Sequence, residues 1–171
     1  MSWDADTALE QLYAAHWRRL VRLSVLLVHD PGTAEEIVQD AFVAVHARWR
    51  KLREPDLALA YLRQSVVNRS RSALRHHAVV RRHLEHAAPP APAAGADESS
   101  LAAARRTAVL QALQQLPRRQ REVLALRHYL ELSEAEIAET LGISRGAVKS
   151  HASRGSAALR DLLGTYLEDR R

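Results

Sequence analysis

The chain has 171 residues, contains no cysteine and carries a formal net charge of +5. The length suits one ordinary domain or two small ones, and the lack of cysteine excludes disulfides and cysteine-ligated metal sites. Hydrophobic residues make up 47% of the chain but aromatic residues only 5%, so Ala, Leu and Val dominate and favour helices over a β-sandwich. The positive charge indicates an anionic partner, nucleic acid before membrane.

The charge is unevenly distributed along the chain. Residues 1–44 carry seven acidic and three basic side chains, whereas residues 45–85 carry ten basic and three acidic ones. This asymmetry predicts two different surfaces, of which only the second suits phosphate. The N-terminus lacks the pattern of a signal peptide, and the apolar run from Leu20 to Val28 is too short to cross a bilayer. We therefore expect a cytoplasmic protein with no membrane insertion.

Apolar residues at helical spacing predict three helices in residues 1–86, at about 9–28, 34–49 and 57–77. The apolar face of the first helix consists of Leu9, Leu12, Tyr13, Trp17, Leu20, Leu23 and Leu27. In the second helix Trp49 follows the apolar stripe, so a core position is expected rather than stacking on a base. In the third helix Arg63 breaks the apolar pattern.

Two caps are predicted in this first domain. Thr33 has Glu36 three residues later, the spacing of a capping box, and is expected to begin the second helix. Asp56 follows the turn signal Glu54-Pro55 and is expected to cap the third helix.

Residues 87–104 contain Pro, Gly, Ser and Ala without large apolar side chains, which is typical of a linker. Helix is expected to resume near Ser99 or Ser100. Residues 105–171 then form a second domain, in which Pro117 ends one helix and a further helix follows over about 118–129. The predicted fold class is all-α: two small helical domains joined by an Ala/Pro-rich linker, the C-terminal one a helix-turn-helix.

The segment that begins at Ser133 carries the most specific signal. Ser133 and Glu136 have capping-box spacing, Gly142 suits a left-handed turn, and Ser144 is a plausible cap for the last helix. The small core between the two helices is predicted to contain Ile137, Ala138, Leu141, Ile143 and Val148. Such a turn leaves the outer face of the second helix free to enter the major groove of DNA.

Six residues on or beside that outer face are the predicted DNA contacts: Arg145, Lys149, Ser150, His151, Ser153 and Arg154. Arg and Lys contact phosphates or guanine edges, and Ser contacts either. An ordinary helical hairpin with a solvated charged face is the alternative. The two caps, the glycine turn and the basic outer face favour DNA binding.

Three segments together resemble one protein family. Residues 116–127, with the helix-turn-helix that follows, resemble region 4 of bacterial sigma factors. Residues 30–42 resemble region 2.2, and residues 60–75 resemble the end of region 2. The order and extent are similar to the two-domain extracytoplasmic-function group. The resemblance implies a subunit that binds core RNA polymerase and directs promoter-specific transcription initiation, with no cofactor and no enzymatic activity of its own.

The resemblance also implies residue roles. Glu35, Glu36, Gln39 and Asp40 would dock on the clamp coiled coil of the polymerase β′ subunit. Contacts with the −10 promoter element would come from Asn68, Arg71, Ser72 and Arg75, and the last helix would read the −35 element. Ser72 departs from the family pattern, which often has Asp there. An anti-sigma factor is a further expected partner.

The main alternative is a conventional helix-turn-helix regulator whose residues 1–85 form a sensing or dimerisation domain. A ligand cavity or a dimer seam in that domain would distinguish it. The cluster His76, His77, His83 and His86 lacks a carboxylate or cysteine at ligand spacing, so no metal site is predicted. The sequence also lacks a glycine-rich phosphate loop and a nucleophile elbow, so no enzyme is predicted.

Overall fold

The computed structural model describes residues 5–52, 54–84 and 100–168, and these residues form helices and no strands. The helices are α1 (Ala5–Val28), α2 (Pro31–Leu52), α3 (Pro55–His83), α4 (Ser100–Gln115), α5 (Arg118–Leu124), α6 (Glu134–Leu141) and α7 (Arg145–Glu168). Helix α5 continues directly into a π-helical turn, Ala125–Tyr129. The all-α prediction is confirmed. Within these ranges, no helix combines the length and the apolar character needed to cross a bilayer.

Helices α1, α2 and α3 pack as a three-helix bundle. The centre of its core consists of fully buried Leu23, Val38, Val45, Leu62 and Val66. Burying each such side chain contributes about 1.5–3 kcal/mol, so the apolar stripes of the three helices hold the bundle together. The predicted core position of Trp49 is confirmed, since only 7% of this residue is exposed.

Both predicted caps of the first domain are wrong. Helix α2 begins at Pro31, and Asp30 caps it by accepting a hydrogen bond from the Thr33 backbone N–H at 2.9 Å. Helix α3 begins at Pro55, so Asp56 lies inside its first turn. The reason is the same in both cases. Proline fixes φ near the helical value and lacks the N–H that a first turn leaves unpaired, so the helix begins at the proline, earlier in the sequence than predicted.

Tyr13 also departs from the prediction that it belongs to the core face of α1. It is 45% exposed, and its ring stacks on that of Trp17 with 4.6 Å between the centroids. Both rings lie beside that of buried Phe42, with 5.2 Å between the ring centroids for Tyr13 and 6.1 Å for Trp17. The aromatic cluster therefore extends from the core to the surface, and Tyr13 is its outer member.

Helices α4 to α7 form the second domain. Leu126, Ile137 and Val148 are its fully buried centre, and α5 crosses α7 closely at Gly155. A Cβ atom at Gly155 would lie 3.1–3.3 Å from side-chain atoms of Gln120 and Leu124, so this crossing requires glycine or a shift of its neighbours. Helix α4 begins at Ser100, where helix was expected to resume, and residues 87–99 of the predicted linker lie outside the described residues.

The two domains pack against each other. Helix α1 contacts α4 and the π-helical turn, and α3 contacts α6. Leu26 of α1 lies against an apolar cluster of the second domain formed by Leu113, Leu116 and Leu124. The chain is therefore closed, with the last turns of α1 as part of the contact surface.

His29 follows α1 at this contact surface. Its backbone has φ of 63°, and neither ring nitrogen has a hydrogen-bond partner among the described residues. Burial, together with the positive charge of Arg121, lowers the pKa of His29 to about 4. The folded chain thus holds this imidazole neutral.

We predict that His29 makes the chain sensitive to acid. Between about pH 6.5 and pH 4 the unfolded chain binds a proton that folded His29 does not, so stability falls as pH is lowered, by at most about 1.4 kcal/mol per pH unit from this group. Asparagine tolerates positive φ, so His29→Asn keeps the backbone and removes the titrating group. In urea titrations its free energy of unfolding should decline less between pH 7 and pH 5 than that of the wild type. Parallel declines for His29→Asn and the exposed control His128→Asn would contradict this assignment.

Candidate nucleic-acid interface

The helix-turn-helix forms as the local signals predict. The Ser133 hydroxyl accepts from the Glu136 backbone N–H at 3.2 Å, and the Glu136 carboxylate accepts from the Ser133 N–H at 2.8 Å. These bonds lower the pKa of Glu136. Gly142 has φ of 64°, and Ser144 accepts from the Ala147 N–H at 3.0 Å. Both caps and the glycine turn are confirmed.

The core of this motif fixes the direction of α7. Ile137, Leu141 and Val148 are buried, and Ala138 and Ile143 are half-buried beside them, as predicted. With Val148 turned inward, the opposite side of α7 faces solvent. The exposed predicted contacts are Arg145, Lys149, Ser153 and Arg154, and the half-buried ones are Ser150 and His151.

Lys149 has one acidic neighbour on this face. Its Nζ lies 3.8 Å from Oε2 of Glu134, and the Lys149 side chain is 66% exposed. An ion pair this exposed contributes little to stability. The ammonium group is therefore available to a phosphate at small cost.

Helix α3 presents a second polar surface, on the first domain. Asn68, Ser72 and Arg75 are exposed, and Arg75 donates to the Ser72 hydroxyl at 3.0 Å. Asn68 and Ser72 line an open depression together with four residues that were not predicted as site residues: Tyr61, Gln64, Ser65 and Arg69. Helical periodicity could have identified three of them, because Tyr61, Gln64 and Ser65 precede Asn68 by seven, four and three positions.

Arg71, the remaining predicted −10 contact, points into the domain interface. Its Nε and Nη2 donate to the two carboxylate oxygens of Glu122 at 2.7 and 2.8 Å. The Glu122 side chain is only 3% exposed and lies also 3.3 Å from Nη1 of Arg119 and 3.8 Å from Nε of Arg118. The role of Glu122 was not predicted, because its partner Arg71 lies 51 residues away in the sequence, in the other domain.

Further arginines connect the domains through backbone carbonyls. Arg121 donates to Leu27 O at 3.2 Å and also to three carbonyls at the end of α4 and just after it, those of Leu113, Gln114 and Leu116. From the first domain, Arg19 donates to Tyr129 O and Leu130 O at 3.3 Å. These bonds satisfy carbonyls that helix ends leave without intrahelical partners.

Arg63 joins the same interface. Its Nη1 lies 3.8 Å from Oε1 of Glu136, and the Arg63 side chain is 21% exposed. This contact explains why Arg63 breaks the apolar pattern of α3, since the second domain supplies an acidic partner at that position.

The acidic residues of α2 form a separate face. Glu35, Glu36, Gln39 and Asp40 are all exposed and lie on one side of the helix. Asp40 lies 3.9 Å from Nη1 of Arg69 on α3. The acidic face and the polar depression of α3 therefore meet along one edge of the first domain.

The comparisons with known proteins agree on one family. Residues 12–79 match the family described as Sigma-70 region 2, and residues 106–159 match Sigma-70, region 4. The chain is 35% identical over 144 residues to the RNA polymerase sigma-E factor of Streptomyces avermitilis, which covers 84% of this chain and 78% of that protein. It is 32% identical over 158 residues to the ECF RNA polymerase sigma factor SigM of Mycobacterium tuberculosis, an alignment that covers 92% of this chain and 78% of that protein.

A solved structure shares the architecture of both domains. The structure of CnrH in complex with the cytosolic domain of CnrY matches with a TM-score of 0.70 and 26% identity, covering 94% of this chain and 95% of that one. The match of residues 12–79 to sigma region 2 also disfavours a sensing or dimerisation domain in the first half. The chain belongs to the RNA polymerase sigma factors of the extracytoplasmic-function (ECF) group.

Proposed function

We propose that the chain binds core RNA polymerase and directs promoter-specific initiation, with α7 on the −35 element and α3 on the −10 element. The observation that carries the proposal is the exposed basic side of α7 within a fully capped helix-turn-helix. The polymerase performs the chemistry, so this chain acts by binding and positioning, in the cytoplasm where transcription takes place.

For the −35 element, α7 offers a helix of the diameter that the major groove admits. Arg145 stands in its first turn, where recognition helices contact base edges. Lys149 and Ser153 follow one and two turns later on the same side, and Ser150 and Arg154 lie beside them. His151 completes the set at the margin of the buried face.

For the −10 element, the depression on α3 suits a base that has left the duplex. Unstacking a base costs a few kcal/mol, which hydrogen bonds to its edge and contacts to the flanking phosphates offset. Asn68 supplies both a donor and an acceptor at this depression, and Ser72 supplies a hydroxyl. Arg75, and Arg71 once released from Glu122, supply charge for the phosphates.

For polymerase binding, the acidic face of α2 is the proposed contact. Glu35, Glu36 and Asp40 carry negative charge and Gln39 adds hydrogen-bonding capacity, a combination that complements a basic helical partner such as the β′ clamp coiled coil. A protein regulator is a further proposed partner, because the solved CnrH structure is a complex with the cytosolic domain of CnrY. In this chain the corresponding partner would be an anti-sigma factor.

We predict that single changes on α7 weaken promoter binding. Arg145→Ala and Lys149→Ala should each weaken the binding of reconstituted holoenzyme to a promoter selected from random DNA. Each should also reduce the slope of log K against log salt by about 1, because one phosphate contact is lost. Arg160→Ala removes an exposed arginine about four turns further along α7 and is the matched control. Equal losses for all three variants would contradict groove binding by the start of α7.

We predict that charge reversal on α2 prevents polymerase binding. Glu36→Lys/Asp40→Lys should fail to co-purify with core RNA polymerase, because like charges would then meet across the interface. Glu10→Lys/Asp161→Lys makes the same change in net charge at exposed positions on α1 and α7 and should bind as the wild type does.

Two outcomes of that experiment would contradict the proposal at different levels. If the α2 variant binds normally, the docking face is wrongly assigned. If the folded wild-type chain does not bind core polymerase at all, the proposed function is wrong.

A further inference from the structure

Glu122 is a buried carboxylate surrounded by guanidinium groups from two domains. Arg71 reaches it from α3 with two parallel hydrogen bonds of 2.7 and 2.8 Å. Arg118 and Arg119 reach it from its own helix at 3.8 and 3.3 Å. One negative charge thus faces three positive charges in a site with little solvent, where such charges attract more strongly than in water.

This arrangement is the one in which arginine binds phosphate. Carboxylate and phosphate accept the same bidentate pair of N–H bonds from a planar guanidinium group. In the closed chain Glu122 occupies the donor atoms of Arg71 that a DNA phosphate would require. Arg71 also donates to Oδ1 of Asn68 at 3.4 Å. The arginine that Glu122 holds therefore also engages the residue proposed to bind the −10 base.

We propose that Glu122 is an internal substitute for a DNA phosphate: it holds Arg71 while the chain is closed, and DNA binding at α3 displaces it. Closure and binding of the −10 strand then exclude each other. This inference rests on the proposed function, because it assumes that the α3 surface binds DNA.

The charges allow two stable states rather than one. When the domains separate, Glu122 keeps Arg118 and Arg119 as partners within its own domain, so the carboxylate is not left without a counter-charge. Arg71 meanwhile gains solvent or a phosphate. Since both states satisfy these charged groups, a ligand that prefers the open state is able to shift the population.

The other interdomain contacts should break in the same step. Arg19 donates to the carbonyls of Tyr129 and Leu130, Arg121 donates to that of Leu27, and Leu26 packs on the second domain. None of these residues belongs to the proposed DNA or polymerase surfaces. Arg19 therefore provides a way to weaken closure without touching Glu122 or the DNA contacts.

The test compares three variants of the full chain without polymerase. Glu122→Gln and Arg19→Ala weaken closure by independent routes, and Glu139→Gln removes one exposed acidic charge from α6 as the control. Affinity for a short fluorescein-labelled single-stranded oligonucleotide is measured by anisotropy, and opening by small-angle X-ray scattering. Circular dichroism melting checks that each variant is folded.

We expect Glu122→Gln and Arg19→Ala to bind the oligonucleotide about tenfold more tightly or better, because a larger fraction of the chain is open. Their radius of gyration should increase, while Glu139→Gln should match the wild type in both measurements. If Arg19→Ala opens the chain in scattering without a gain in affinity, or remains closed although folded, the inference is overturned. If the wild type fails to bind promoter DNA even with core polymerase, the proposed function fails instead.

Discussion

The buried ion pair between Glu122 and Arg71 constrains how the two domains lie, and much else in the structure depends on it. A charge removed from water needs a partner of good geometry, and Arg71 supplies one from the other domain with bonds of 2.7 and 2.8 Å. Arg19, Arg63 and Arg121 then meet carbonyl or carboxylate oxygens across the same interface. Arginines thus make many of the polar contacts of the closed form, beside an apolar core that continues from the first domain into the second, in a chain whose proposed ligand is also an arginine-binding anion.

The helix-turn-helix lies largely outside this constraint. Its shape is set by contacts within a few residues: the Ser133 capping box, the left-handed Gly142 and the Ser144 cap. For that reason the sequence was sufficient to predict the motif, its core and the side of α7 that faces solvent. Those signals are local, and tertiary packing only had to be compatible with them.

Other features depend on residues that are distant in sequence or on competing local signals. Glu122 has the sequence pattern of a helical surface residue beside arginines, and only the structure shows that it is buried and contacts Arg71 of α3. Tyr13 has the spacing of a core residue but lies at the outer end of an aromatic cluster. Thr33 has capping-box spacing, yet the Asp30-Pro31 pair begins the helix earlier. Arg63 breaks the apolar pattern of α3 because it contacts Glu136, which belongs to the second domain.

We expect the free chain to be closed and the chain bound to polymerase and promoter to be open. Because the sequence contains no cysteine, spin labels can be placed on Ala14→Cys in α1 and Ala157→Cys in α7, two exposed positions outside the proposed surfaces. Pulsed electron paramagnetic resonance then measures the distance between the domains. One narrow, short distance is expected in the free chain and a clearly longer one in the promoter complex. The same short distance in both states would contradict this expectation.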